Sequence, residues 1–287
     1  MRTTLRRLTA LIHITRPQIA AQAAAYTFLG AYLSAGAGAI FSPATAYAAL
    51  IVAIIVAFGF VINDYADADL DRLTRPERPI PAGAVSRPQA AALALVLAAL
   101  ALGSTLVAPP ALRPLALLNL ALTAAYSLRL KRTVLIGNLT MALLNGSILL
   151  FGSLAAGRLT PLLWAVVAMS FLFTLAQEVL YTVDDLHGDA SAGIVTTATC
   201  FGPGPSLHLF RSLMGLTLLC AAAPLWLAPL SPWYAVALLV CVVIPVCSYI
   251  LPLTLRAEPA AISRACAALK RVRLASLVPL ALLGTLR

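Results

Sequence analysis

Acidic side chains are rare in this chain and are concentrated in two short stretches. Only 10 of the 287 residues are Asp or Glu. Five of these lie between Asp64 and Glu77, and four more lie between Glu178 and Asp189. Long apolar runs precede both stretches, and charged groups near a membrane interior are costly to retain. This clustering therefore indicates two parts of a functional site.

The first stretch places three carboxylates at a helical spacing. Asp64, Asp67 and Asp71 are related as i, i+3 and i+7, so they share one face if the preceding helix continues through them, whereas Asp69 points away. Carboxylates on one stripe repel each other unless a cation lies between them. Oxygen ligands without Cys or His favour magnesium over calcium or zinc, and magnesium commonly bridges carboxylates to phosphate oxygens. The stretch therefore predicts a magnesium site for a diphosphate.

The residues that follow the first stretch are basic and conformationally restricted. Arg72, Arg75 and Arg78 carry guanidinium groups that suit phosphate oxygens. Positions 75–83 include three prolines and a glycine, which predict a stiff turn rather than a mobile linker. The alternative is a solvated acidic cap that the same arginines neutralise, and the stiff turn makes that interpretation less favoured.

The second stretch repeats the carboxylate pattern. Asp185 and Asp189 are related as i and i+4, and Glu178 precedes Asp185 by seven residues, so all three share a stripe, whereas Asp184 points away. The alternative is a helix cap or a salt-bridge network for the next segment. Two such stripes facing each other could hold more than one magnesium ion around a single diphosphate.

Tyr126 and Lys131 form a third candidate group, at the end of the fourth apolar run. One interpretation is interfacial anchoring by an aromatic ring and a lysine whose ammonium reaches the polar headgroups. The other is a set of donors that contact diphosphate oxygens as the leaving group departs. The two interpretations remain open at this point.

The elements that must position these groups are membrane helices. The chain is 61% hydrophobic and 10% charged, with a mean hydropathy of +0.95, which is too little charge to cover a soluble all-α protein. We predict an all-α, polytopic membrane protein in one domain over residues 1–287, with two weak four-helix repeats and a ninth helix. The approximate spans are 18–38, 44–63, 88–107, 111–127, 134–156, 161–182, 206–227, 233–254 and 266–285.

The distribution of basic residues predicts the orientation in the membrane. With a cytoplasmic N-terminus, all of the 20 Lys and Arg residues except Arg113, Arg158 and Arg287 fall on the cytoplasmic side. Both acidic stretches then open to the cytoplasm. The net charge of +10 comes from short connections between apolar runs, so we interpret it as a topology signal and expect no nucleic-acid partner.

These motifs, in this order, resemble those of the UbiA-type intramembrane prenyltransferases. Asn63-Asp64-x-x-Asp67-x-x-x-Asp71 with its arginine- and proline-rich turn is similar to the first signature of that family, and Asp185-x-x-x-Asp189 is similar to the second. Tyr126-Ser127-x-x-x-Lys131, followed by Gly137-Asn138, resembles the central segment, and Arg16-Pro17 resembles the usual start. The resemblance covers most of the chain.

The resemblance implies nine transmembrane helices around a central cavity that opens to the cytoplasm, in a multi-pass protein of the cell membrane. It also implies Mg²⁺-dependent transfer of a prenyl group from a prenyl diphosphate to a lipophilic acceptor. By the same resemblance, metal and diphosphate would be held by Asn63, Asp64, Asp67, Asp71, Asp185 and Asp189. The residues that would contact the diphosphate or the substrates, or close over them, are Arg72, Arg78, Tyr126, Lys131, Glu178 and Tyr181.

The acceptor stays open at the sequence level. Tyr181-Thr182 resembles the hydroxybenzoate branch of the family, whereas His187-Gly188-Asp189 and the turn after the first motif resemble the lipid branch. The nucleophile is therefore an activated aromatic carbon or a hydroxyl oxygen, and Glu178 or Asp184 is the candidate to take its proton.

Other functions use some of the same features. A membrane terpene cyclase would ionise the same diphosphate and let the prenyl chain attack itself. A cation-coupled transporter would more commonly place its charges near the bilayer midplane in broken helices, whereas here they sit at helix ends. A structural membrane protein has no use for paired rows of carboxylates.

Overall fold

The protein is entirely helical in the part of the chain that the structure describes. The structure is a computed structural model that describes residues 2–227 and 232–283. The α-helices are α1 Arg2–Ile14, α2 Pro17–Ala35, α3 Pro43–Ala66, α4 Ala68–Thr74, α5 Arg87–Val107, α6 Arg113–Leu128, α7 Ile136–Ala155, α8 Pro161–Asp184, α9 Leu186–Ser191, α10 Thr197–Phe201, α11 Pro203–Ala222, α12 Pro224–Leu227, α13 Pro232–Leu238, α14 Leu251–Leu253, α15 Pro259–Ala275 and α16 Leu277–Leu282. Two π-helical segments, Leu239–Val243 and Val246–Ile250, carry α13 on towards α14.

Among the described residues, seven helical segments have the length and apolarity to cross a membrane, and they match seven of the predicted spans. They are Pro43–Ala66, Arg87–Val107, Pro110–Leu128, Ile136–Ala155, Pro161–Asp184, Pro203–Leu227 and Pro232–Leu253. The predicted span 18–38 corresponds to α2, which carries Gln18 and Gln22 and ends at Ala35. The predicted span 266–285 corresponds to the end of α15 and to α16, and its last two residues, like Arg287, lie outside the described part. Membrane crossing by these two spans stays a prediction.

The start of several long helices follows from local sequence. α3, α5 and α8 each begin with proline in the first turn, where the missing N–H is not needed. Ser42 and Thr160 accept hydrogen bonds from backbone N–H groups at the starts of α3 and α8, and Ser86 forms a capping box with Gln89 before α5. These caps satisfy N–H groups that a membrane would otherwise leave without partners.

Small residues allow α2 and α7 to approach very closely. Ser34 Oγ donates to Ser153 Oγ at 2.8 Å, and Ser153 Oγ lies 3.0 Å from the Gly30 carbonyl oxygen. A Cβ at Gly152 would overlap the carbonyl oxygen of Thr27, which is backbone and cannot rotate aside. Close backbone contact through small residues is a common way for membrane helices to pack.

We therefore expect Gly152→Ala to destabilise the protein by about 1–3 kcal/mol, because the added methyl group must push α2 and α7 apart. A lower thermal unfolding midpoint in detergent would show this effect. Gly103→Ala in α5 is the matched control, since nothing lies within 4 Å of its added Cβ. An unchanged midpoint for Gly152→Ala would contradict the close crossing.

The helices surround a cavity of about 430 Å³. Its wall is contributed by α2, α3, α6, α7, α8, α11, α15 and α16, together with the helical run that starts at α13. Most of the wall is apolar, with side chains such as Ile55, Met141 and Leu238. The cavity has room for a hydrocarbon chain between the helices.

Candidate active site

The first acidic stretch forms a nearly continuous helical path from α3 into α4. Asp67 lies between the two helices with φ −92° and ψ 2°, and its N–H still donates to the Asn63 carbonyl oxygen at 2.9 Å. The Asp71 N–H in turn donates to the Asp67 carbonyl oxygen at 2.8 Å. The helical spacing therefore continues across the junction, so Asp64, Asp67 and Asp71 stay on one side of the α3–α4 path, as predicted.

Asp64 and Asp71 lie side by side around one arginine. Arg78 Nη1 is 2.8 Å from Asp71 Oδ2 and 3.4 Å from Asp64 Oδ1, and both carboxylate side chains are only 4% exposed. Arg16 Nη2 lies 2.9 Å from the same Asp64 oxygen. Burial lowers the pKa of the Arg16 guanidinium, and the negative charge of Asp64 opposes that shift. Two buried carboxylates are thus held together by cations from other segments.

Asp67 forms a second contact group with Asn63 and Lys131. Lys131 Nζ lies 2.6 Å from Asp67 Oδ1 and 3.0 Å from Asn63 Oδ1, and Asn63 Nδ2 donates to Asp67 Oδ2 at 3.2 Å. Burial lowers the pKa of Lys131, and its hydrogen bond with Asp67 opposes the shift. The 3₁₀ turn Leu130–Arg132 that follows α6 therefore returns to the end of α3. The sequence predicted Lys131 as a donor to the diphosphate but did not predict this contact with Asn63 and Asp67.

Asp69 and Arg72 lie on the other side of α4. Asp69 is 65% exposed and pairs with Arg72 at 3.0 Å and with Arg87 at 2.9 Å. The outward direction of Asp69 agrees with the helical spacing. The structure does not bring Arg72 to the row formed by Asp64, Asp67 and Asp71, because Arg72 turns towards Asp69 instead.

The second acidic stretch follows α8 in the same way. α8 ends at Asp184, the Asp185 N–H donates to the Tyr181 carbonyl oxygen, and the Asp189 N–H donates to the Asp185 carbonyl oxygen, both at 2.9 Å. Burial raises the pKa of the Asp185 carboxyl group. Burial, and then the nearby charge of Asp185, raises the pKa of Asp189 to about 6. Asp184 points away and accepts a hydrogen bond from Ser263.

One arginine connects the two acidic stretches. Arg75 Nη2, at the start of the proline-rich turn, lies 3.6 Å from Asp185 Oδ1. Because Arg75 lies three residues before Arg78, which holds Asp64 and Asp71, the two rows lie at the same end of the helical bundle. The turn 75–83 thus contacts both rows, through Arg78 and through Arg75.

The carboxylates of these two rows have the right chemistry for magnesium but do not form a closed metal cage. Within residues 2–227 and 232–283, no three His, Cys, Asp or Glu side chains converge as ligands. Instead, Lys131 ammonium and Arg78 guanidinium nitrogens contact the oxygens of Asp67, Asp64 and Asp71. Oxygen donors that already attract cations fit magnesium, which usually takes one or two carboxylates and completes its shell with phosphate oxygens and water.

Four of the predicted residues line the cavity itself. Asn63 and Tyr126 lie where α3 and α6 end near the acidic rows, and Glu178 and Tyr181 lie on α8. Gln177 Nε2 donates to the Tyr181 hydroxyl at 2.6 Å, which fixes the orientation of that phenol. The cavity thus joins a polar end, next to the carboxylate rows, to a mostly apolar interior.

Sequence reasoning missed two residues of this region. Arg16, known only as part of the Arg16-Pro17 start, contacts Asp64 and stacks over the Phe60 ring at 4.4 Å. Its left-handed backbone, with φ 48°, lets the chain turn into α2. Arg273 was counted only as one of the cations on the cytoplasmic side, and the structure places it in the cavity wall. No sequence signal separates Arg273 from the neighbouring basic residues of α15.

The mostly apolar cavity lies within a bundle of helices that can cross a membrane, and the carboxylate rows with their cations lie near its polar end at Asn63. This arrangement indicates an intramembrane enzyme. The chain belongs to the UbiA prenyltransferase family, whose model matches residues 24–272. It is a multi-pass membrane prenyltransferase. This confirms the resemblance that the acidic motifs indicated.

Curated relatives and solved structures agree with this assignment. A digeranylgeranylglyceryl phosphate synthase of Methanopyrus kandleri is 36% identical over 200 residues, which cover 70% of this chain and 72% of the relative. A solved chain from work on digeranylgeranylglyceryl phosphate synthase in membranes superimposes with a TM-score of 0.79 at 23% identity and covers 98% of this chain and 99% of that one. A UbiA homologue from Archaeoglobus fulgidus, bound to GPP and Mg²⁺, superimposes with a TM-score of 0.69 at 21% identity. The match covers 96% of this chain and 98% of that one.

Proposed function

We propose that this prenyltransferase moves a prenyl group from a prenyl diphosphate to the free hydroxyl of a glyceryl phosphate lipid, with Mg²⁺ as cofactor. The observation that carries the proposal is the cavity that links the carboxylate rows to an apolar interior through Asn63 and Tyr126. The likeness to digeranylgeranylglyceryl phosphate synthases over two thirds of both chains supports a hydroxyl acceptor rather than an aromatic carbon.

The metal and the diphosphate would be held at the polar end of the cavity. Support comes from the oxygen donors there and from the homologue that binds GPP and Mg²⁺. When bound, Mg²⁺ neutralises negative charge on the leaving diphosphate. The residues proposed as metal ligands are Asn63, Asp64, Asp67, Asp71, Asp185 and Asp189.

Cationic side chains of this chain are placed to receive the diphosphate. Lys131, Arg78 and Arg16 already lie within hydrogen-bond distance of the first row, so a diphosphate bound to that row meets their N–H donors directly. Arg75 performs the same role towards the second row. These donors favour the departure of the diphosphate with the electron pair of the broken C–O bond. Arg72, which faces Asp69, is left out of this group.

Departure of the diphosphate leaves an allylic cation on the prenyl group, and the cavity wall would protect this cation until the acceptor attacks it. The apolar lining excludes water, which would otherwise hydrolyse the cation. The ring faces of Tyr126 and Tyr181 are available to stabilise it. Of the two candidate bases, only Glu178 lines the cavity, since Asp184 is exposed and bound to Ser263. The acceptor oxygen bonds to the prenyl carbon, and its proton passes to Glu178.

The orientation in the membrane is also proposed, with the N-terminus and both acidic rows in the cytoplasm. The distribution of Lys and Arg supports this arrangement. Labelling of an Asp69→Cys variant by a membrane-impermeant thiol reagent tests it, because Asp69 is exposed. The native cysteines are first replaced by serine, since Cys200 and Cys247 are also exposed. We expect labelling in inside-out vesicles only, and labelling only in right-side-out vesicles would reverse the orientation.

Product analysis tests the reaction. Purified protein is supplied with prenyl diphosphates of several lengths, Mg²⁺ and a panel of glyceryl phosphate lipids and aromatic acceptors, and the products are identified by mass spectrometry. We expect an ether-linked product with a glyceryl phosphate lipid and its loss after chelation with EDTA. Prenylation of aromatic acceptors alone would reject the proposed acceptor, and a cyclic hydrocarbon formed without acceptor would establish a terpene cyclase.

A further inference from the structure

A pair of opposite charges lies in the cavity wall, away from the carboxylate rows. Glu178 on α8 and Arg273 on α15 both line the cavity, and neither contacts the residues of the first row. Within the described residues, no ion pair within 4.0 Å neutralises Arg273. Glu178 lies close enough to sense the charge of Arg273 but does not form an ion pair with it, so the guanidinium is not neutralised by direct contact. A charged group retained in a membrane cavity in this way indicates a binding function.

The position of Arg273 follows from how α15 runs antiparallel beside α8. Ser263 contacts Asp184 at the end of α8, Lys270 lies 5.3 Å from the centre of the Tyr181 ring, and Arg273 reaches Thr174. The ten residues from Asp184 back to Thr174 correspond to about 15 Å along the helix. Arg273 is therefore well inside the bundle, below the proposed diphosphate site.

The guanidinium of Arg273 is held in place but keeps free binding capacity. Its Nη2 donates to Thr174 Oγ1 at 2.6 Å, and the group lies 5.6 Å from the centre of the Phe173 ring. Tyr26 and Ser276 donate to its backbone carbonyl oxygen, which fixes this part of α15. A guanidinium has five N–H donors in a planar fork, so an oriented group with one described hydrogen bond suits a phosphate.

The spacing to Glu178 matches a ligand that carries both a phosphate and a hydroxyl. Thr174 and Glu178 are related as i and i+4, so they are neighbours on one face of α8, about 5–6 Å apart. In a glyceryl phosphate, a hydroxyl on the carbon next to the phosphate ester is separated from phosphorus by two carbons and one oxygen. Such an acceptor can place its phosphate on Arg273 while its hydroxyl faces Glu178.

We propose that Arg273 binds the phosphate of the acceptor lipid and so selects phosphorylated acceptors over uncharged ones. This inference rests on the proposed function, since it names the group that recognises the acceptor of that same reaction. The donor diphosphate is the other source of phosphate in the cavity, and the experiment must separate the two.

The test measures transfer to a glyceryl phosphate lipid and to the same lipid without its phosphate. In Arg273→Gln, we expect kcat/KM for the phosphorylated acceptor to fall by about 10- to 100-fold, because a hydrogen bond to a charged group is lost. The rate with the uncharged alcohol and the KM for the prenyl diphosphate should stay within about twofold of wild type. Arg273→Lys keeps the charge without the fork and should recover part of the preference.

Arg271→Gln is the matched control, because Arg271 is an exposed cation on the same helix, and it should leave both rates unchanged. An equal loss with both acceptors would assign Arg273 a structural role and overturn the inference. A higher KM for the prenyl diphosphate would assign it to the donor instead. If Arg273→Gln does not fold, Arg273→Lys replaces it in the test, and an acceptor preference equal to that of wild type would overturn the proposed phosphate contact. Wild-type protein that prenylates neither acceptor would reject the proposed function itself.

Discussion

Asp67→Asn is expected to lower prenyl transfer by about 100- to 1000-fold, because the substitution removes one negative charge where the cofactor and the diphosphate are proposed to meet. Asp67 lies 2.6 Å from Lys131 and is hydrogen-bonded to Asn63, so it links the end of α3 to the turn after α6. Asparagine has nearly the same size and keeps one oxygen, so the packing should be preserved. Steady-state turnover at saturating Mg²⁺ and prenyl diphosphate measures the effect.

Asp69→Asn is the matched control for this experiment. Asp69 belongs to the same acidic stretch, but it is 65% exposed and faces Arg72 and Arg87 on the opposite side of α4. Exposed ion pairs contribute little, so turnover should change by less than about fivefold. Wild-type turnover in Asp67→Asn, or equal losses in the two variants, would contradict the proposed metal site.

Glu178→Gln is expected to lower product formation by about 100- to 10,000-fold, the usual contribution of a general base. Glu178 lines the cavity, and glutamine of similar shape cannot take the proton of the acceptor hydroxyl. Release of diphosphate precedes this proton transfer, so it should continue, and water should capture more of the prenyl cation. The measurement is the ratio of hydrolysed prenyl alcohol to ether product, which should rise.

Asp184→Asn serves as the control for the proton transfer. Asp184 lies on the same helix, but it is exposed and accepts a hydrogen bond from Ser263 outside the cavity. Product formation should remain close to wild type. If Asp184→Asn lost activity and Glu178→Gln did not, the assignment of the base would be wrong.

Local periodicity was enough to predict which acidic side chains lie together. Asp64 and Asp71 share Arg78, whereas Asp69 and Asp184 point away, because the helical spacing continues through the junctions at Asp67 and Asp185. The apolar runs likewise predicted nine spans, and seven of them match described segments that can cross a membrane. Both results depend on residues that are close in sequence, where the geometry of a helix determines the relative directions of side chains.

Contacts between distant segments could not be predicted in the same way. Arg16 and Asp64 are 48 positions apart in the sequence, and Thr174 and Arg273 are 99 positions apart, so each pair meets only when the helices pack. A count of basic residues treats every cation alike, so it gave no indication that Arg273 lines the cavity. α2 and α15 carry glutamines or several cations, so composition alone does not decide whether they cross the membrane.

The proline-rich turn that carries Arg75 and Arg78 is fixed before any substrate arrives. Arg78 is bound to two buried carboxylates, Arg75 reaches the second acidic row, and prolines limit the backbone between them and Gly83. The conformational entropy of this turn is therefore lost during folding rather than during substrate capture. Capture of the donor should accordingly require little further ordering of this loop, so its affinity should not carry the entropic cost of closing a mobile lid.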